Sequence, residues 1–180
     1  MLAAMREHVK TLNGDAAKQV REQALNALGQ NISQAGYDSA MTWLASSDLS
    51  AQEMEDFAQG VQPWQTKAET GKWITWMADK FPKEEMAPRM GMFMRQWAND
   101  DYKAAGEWLN DFKDGPTKEV AVKSYADAVL PYDPATAAEW SLTMPAGKEK
   151  TELMGQIYRQ WKSKDEAAAE KFAEENGIQR

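Results

Sequence analysis

Apolar residues along the chain fall on a lattice marked by tryptophan, whose strict spacing predicts that the lattice tryptophans pack in an inter-helix layer rather than stack a sugar or nucleobase. Trp43 and Trp64, Trp76 and Trp97, and Trp140 and Trp161 are each 21 residues apart, and Trp108 keeps that distance to Val129. The return steps from Trp97 to Trp108, Val129 to Trp140 and Trp161 to Phe172 are 11 residues, and the step from Trp64 to Trp76 is 12, so the unit is 32 or 33 residues. An apolar stripe at helical period precedes the second anchor of each unit. Phe93, Tyr125 and Ile157 stand four residues before it, and Phe57, Met90, Val122 and Met154 seven before. In the first copy Gly60 takes the place of Phe93. No segment alternates with period two between turn pairs, so the pattern predicts an all-α protein.

Turn and cap residues punctuate the lattice at the same period. DDYKAAGEW (100–108), YDPATAAEW (132–140) and KDEAAAEKF (164–172) align at a 32-residue offset without gaps. Asp101, Asp133 and Asp165 share one column, where a carboxylate accepts the free N–H groups of a helix start. Pro134 then takes a first helical position. Ala105, Ala137 and Ala169, with Ala40 in the first copy, lie one turn before the aromatic and let a neighbouring backbone approach. The partner helices follow breakers and are predicted over 51–64, 83–98, 117–130 and 148–162, with Ser50 and Glu53 forming a capping box. Helices over 1–12 and 15–29 match the lattice poorly and suit a terminal cap.

One hairpin cannot bury its apolar face alone, whereas a stack can. The expected architecture is therefore a single domain over 1–180, an α-solenoid of stacked antiparallel helical hairpins with a right-handed sense. Residues 1–32 would be N-terminal capping helices, 33–164 about four hairpins, and 165–180 a polar capping helix and tail that ends the array. In architecture this resembles the tetratricopeptide-like solenoids, and its Asp-Pro-x-x-Ala-Ala-x-Trp unit is similar to tryptophan-rich helical repeats of uncharacterised bacterial proteins. The unit is two residues shorter than the tetratricopeptide repeat, and the 21-residue Trp spacing is not that family's pattern. The resemblance covers about residues 33–176 and implies binding rather than a reaction, with no catalytic residues to carry over.

Composition narrows the chemistry further. At 180 residues and 43% apolar, the chain can fill a core without metal or disulfide staples. Absence of cysteine removes disulfides, thiolate metal sites and cysteine nucleophiles, and the single histidine, His8, removes most metal and triad chemistry. The 28 acidic against 21 basic residues give −7, the wrong sign for a duplex nucleic-acid binder. No apolar run nears the roughly 20 residues of a membrane helix. The start MLAAMREHVK has no stretch of signal-peptide length, which leans toward the cytoplasm, but a chain without cysteine fits either redox compartment and an exported protein with its leader removed would read the same. The glycines are scattered and form no phosphate loop, so no cofactor is expected. The acid pairs Asp100–Asp101 and Glu84–Glu85 lie at predicted helix starts, where capping is their ordinary role, and no enzyme is expected.

The remaining signals concern binding. Trp73 lies off the lattice, three residues before Trp76 in the column where other copies carry alanine. Either it is displayed at a repeat groove as an aromatic anchor, or this helix slips and Trp73 replaces Trp76 inward. Met86, Met90 and Met94 form a row that reads as flexible core filler, or as a soft binding face. From Glu22 to Thr66 there is no Lys or Arg but six acids, a block that could steer a basic partner or simply be a solvated face. The expected role is an interaction module or scaffold holding a peptide or partner helix. The candidate contacts are Trp73, the acids Asp48, Glu53, Glu55 and Asp56, and the helix positions Lys103, Glu107 and Asp111. The alternative is a small-molecule or glycan binder with a tryptophan-lined pocket, and a third is a structural spacer.

Overall fold

The computed structural model describes residues 2–178, and of Lys83 the backbone alone. Among these residues there is no strand, and the chain is helical almost throughout. No helix is long and apolar enough to cross a membrane. The helices divide into two compact units, Met1–Phe81 and Pro82–Arg180.

In the first unit α1 (Leu2–Lys10), α2 (Gly14–Ser33), α3 (Tyr37–Ser46), α4 (Ala51–Gly60) and the single turn α5 (Pro63–Thr66) are followed by α6 (Thr70–Lys80). The long α2 packs against α1, α3, α4 and α5. Its approach to α4 is backbone to backbone. A Cβ on Gly29 would lie 2.1 Å from the Phe57 carbonyl oxygen, and one on Gly60 2.0 Å from that of Asn26. The glycine that interrupts the stripe in the first copy is therefore what lets α2 and α4 meet. Leu25 on α2, Phe57 on α4 with Val61 just after it, and Trp73, Ile74 and Met77 on α6 are sealed from solvent.

The capping box predicted for α4 is present, with the Ser50 side chain accepting from the Glu53 N–H and the Glu53 carboxylate from the Ser50 N–H. The helix ends four residues earlier than predicted, at Gly60 rather than residue 64. Pro63 has no N–H to continue the ladder and holds Gln62 extended (φ −116°, ψ 142°), so the chain restarts in α5. Trp64 then leaves the interior and is 59% exposed, against the expectation of an inter-helix layer. Beyond it Lys67 has φ 45°, the one positive value outside glycine among the described residues.

In the second unit α7 (Lys83–Asp111) is broken at Asp101 (φ −155°, ψ 86°). It is followed by α8 (Pro116–Val129), α9 (Pro134–Thr143), α10 (Lys148–Lys162) and α11 (Glu166–Asn176). Each packs against the next along the chain. Three aspartates 32 residues apart make the same cap: Asp101 accepts from the Ala104 N–H, Asp133 from that of Thr136 and Asp165 from that of Ala168, each at 3.0 Å. Lys118 donates to the Asn110 carbonyl at 3.4 Å and Lys150, one period later, to that of Leu142 at 2.7 Å. Ala105, Ala137 and Ala169 are each fully buried, as their column requires. Met86, Met90 and Met94 are interior, which settles their row as core filler.

Candidate functional site

The acidic stretch around residue 50 is largely neutralised from within. Arg6 forks onto Glu53, Nε to Oε1 and Nη2 to Oε2 both at 2.8 Å, and its Nη1 reaches Asp48 Oδ1 at 2.8 Å. The hydrogen bonds from Arg6, against the opposing cost of burial, hold the Glu53 carboxyl down to about 2. They lower Asp48 as well, and the two acids raise Arg6 in turn. Asp56, 1% exposed, is paired with Arg21 at 2.6 Å. Glu55 accepts from Gln52 at 2.9 Å on the surface of α4. Of the four acids expected to meet a basic partner, three are thus matched by arginines of the same unit. An arginine 35 to 47 residues upstream pairs with each of those three carboxylates, although Asp48 remains exposed.

Trp73 is fully buried and cannot present its indole to a partner. It does not displace Trp76 either, since Trp76 is 7% exposed and the two rings meet edge to face at 5.7 Å. Tyr37 contacts Trp73 at 5.3 Å in the same geometry, and the Trp73 Nε1–H is buried without an acceptor. The lattice tryptophans are less interior than expected. Trp76 and Trp97 are buried, but Trp43, Trp108, Trp140 and Trp161 are half-buried. Lys103, Glu107 and Asp111 are exposed at successive turns of the helix after Asp101, where they form one solvated strip. Asp100 and Glu84–Glu85 are exposed as well.

A groove lined by none of the eight candidate contacts is present in the second unit. About 360 Å³ in volume, it opens between Asn110, the Asp114–Gly115 turn, the start of α8 and the end of α9. Val122, Trp140, Met144 and Pro145 supply apolar wall, and Asn110, Asp114, Lys118, Glu119 and Thr143 supply polar groups. Gly115 gives the turn a backbone that favours glycine (φ 146°).

Packing fixes the indole of Trp140 from behind. The buried Tyr125 ring meets it edge to face at 5.5 Å, and the Tyr125 hydroxyl donates to the Tyr102 carbonyl at 2.9 Å. Burial raises that hydroxyl to about 12, so it stays a donor. Lys118 is committed to Asp114 Oδ1 at 2.9 Å and to the Asn110 carbonyl. Glu119 pairs with no cation among the described residues. The groove therefore joins an aromatic wall to one uncommitted carboxylate.

Its origin lies in one column of the lattice. One period earlier Trp108 is covered by Phe112, with ring centroids 4.5 Å apart. The corresponding pair is Trp140 and Met144, and the unbranched methionine leaves space where phenylalanine would stack. The change from Phe112 to Met144 is visible in the sequence, and it is the signal that sequence reasoning passed over. No cluster of potential metal ligands occurs among the described residues. No family model, curated protein or solved structure matches the chain.

Proposed function

We propose that the chain is a binding module that holds a short peptide segment of a partner protein in the groove beside Trp140. The observation that carries this reading is the groove itself, in which an indole backed by Tyr125 and apolar side chains from α8 and α9 border a small set of polar groups. Ligand sites are typically concave and mostly apolar with a few placed polar groups, at volumes of about 300–1,000 Å³, and this groove lies at the small end. That size suits one or two side chains of a peptide better than a whole partner helix.

We further infer that residues 83–176 are three copies of one 32-residue hairpin, a short α-solenoid of the tryptophan-rich repeat kind. The three aspartate caps at equal spacing and the paired Lys118 and Lys150 contacts support it. Stacked hairpins present their variable positions on shared surfaces, which suits recognition. A hydrolytic role has less support, because acid and base work across a cleft needs two carboxylates in different environments. Here Asp114 is tied to Lys118, which leaves Glu119 alone.

The test uses the eight indole N–H resonances of the labelled chain, with Trp140 assigned by its loss in Trp140→Phe. A panel of capped pentapeptides should shift the Trp140 signal selectively, and Trp140→Ala should abolish binding while the other indole signals keep their positions. A panel that leaves Trp140 unmoved at millimolar concentration contradicts the reading. A second reading is favoured by the polar side chains of Asn110, Asp114, Glu119 and Thr143 around one indole, an arrangement that also suits a sugar. Oligosaccharides that move Trp140 where peptides do not would establish it.

A further inference from the structure

Resting on the peptide-binding reading, the geometry points to an arginine side chain as the group that the groove recognises. Three features of the groove converge on that chemistry. Its apolar wall of Val122, Met144 and Pro145 suits the aliphatic stem of a long side chain. The indole of Trp140, backed by Tyr125, is half-buried and lines the groove, where a planar cation can stack on it. The charge left over is negative. Lys118, the one cation lining the groove, is neutralised by Asp114, whereas Glu119 has no counterion.

A ligand of complementary charge must therefore bring a cation to Glu119 across the face of Trp140. Guanidinium meets both demands, since it stacks flat on an aromatic ring and forks a carboxylate, which a lysine ammonium cannot do. The chain already uses both contacts elsewhere. Arg6 forks Glu53 through two 2.8 Å hydrogen bonds, and the Arg89 guanidinium lies over the Phe93 ring at 5.8 Å. The basic partner that composition suggests is thus directed to the second unit rather than to the acids near residue 50.

The probe is the peptide acetyl-Gly-Leu-Arg-Leu-Gly-amide, compared with its citrulline isostere, which keeps the planar shape but replaces one guanidinium nitrogen by a carbonyl oxygen and loses the charge. Binding to the full chain is read from the Trp140 indole signal and by calorimetry. The arginine peptide should bind about tenfold more tightly than the citrulline peptide, the size of one charge-assisted pair. Glu119→Gln should remove that preference, with unmoved signals from the other indoles showing that the variant is folded. If both peptides shift Trp140 equally and Glu119→Gln changes nothing, arginine recognition is overturned while the groove stands as a peptide site. If neither shifts Trp140, arginine recognition is overturned, and the peptide reading falls with it only when the wider pentapeptide panel is silent too.

Discussion

The two units handle charge in opposite ways. In residues 2–81 Glu53 and Asp56 face inward onto arginines of α1 and α2, with Asp56 nearly as buried as the apolar residues beside it, while Asp48 meets Arg6 at the surface. In residues 82–178 the charged positions Lys103, Glu107 and Asp111 stay in solvent, and the helices are held by repeated local caps and columns of small and aromatic residues. A run of acids in sequence is therefore not an acidic surface. What decides is whether a long-range cation reaches it, and Arg6 and Arg21 do so from 35 to 47 residues away.

The comparison is most easily broken at Arg21. Arg21→Ala leaves Asp56 buried without its counterion and should cost about 3–5 kcal/mol in urea denaturation. Loss of any single exposed ion pair in the second unit, such as Lys148–Glu152, should cost well under 1 kcal/mol by the same measurement. A small effect at Arg21 would mean that Asp56 finds solvent and that the first unit is not held by inward charge.

Glycine separates the units next. Gly60→Ala drives a Cβ into the Asn26 backbone and should cost about 2–3 kcal/mol. Gly155→Ala, in the middle of α10, meets nothing nearer than the flexible end of Arg159 at 3.3 Å and should stabilise by about 0.5–1 kcal/mol. Opposite signs in thermal melts are the expected outcome.

The aspartate caps come next in size. Asp133→Ala and Asp165→Ala should each cost about 1 kcal/mol, and close agreement between them would sharpen the case that the hairpins are equivalent.

Acid titration tests the same contrast by sign. Glu53, held at about 2 against an ordinary 4.5, contributes stability that is present above pH 4.5 and lost as pH falls toward 2. Asp127 in the second unit is raised by burial, so its ionised form is the costly one, and stability is regained as pH falls through its folded value. Urea midpoints of Glu53→Gln and Asp127→Asn, each subtracted from the wild type, should therefore slope in opposite directions as pH falls, Asp127 above its ordinary 3.8 and Glu53 between 4.5 and about 2.

Local features were legible in the sequence. The Ser50–Glu53 box, the three aspartate caps and the buried alanine column depend on residues within one turn of each other, and their spacing is written in the chain. The Arg6 fork was not legible, because no local rule pairs residues 47 apart. Gly60 read as a gap in an apolar stripe, and its purpose emerged only when α2 was seen against α4. Trp64 was misplaced because a tryptophan on the lattice outweighed the adjacent Pro63, which in fact ends the pattern. The groove lay one comparison away, in the difference between Phe112 and Met144 beside equivalent tryptophans.

That difference gives the most direct test of the functional account. Met144→Phe places beside Trp140 the ring that Phe112 places beside Trp108, and should close the groove. The predicted result is a folded protein with a urea midpoint near that of wild type, whose Trp140 indole signal no longer responds to the arginine peptide. Undiminished peptide affinity in that variant would contradict the claim that this groove is where the protein binds.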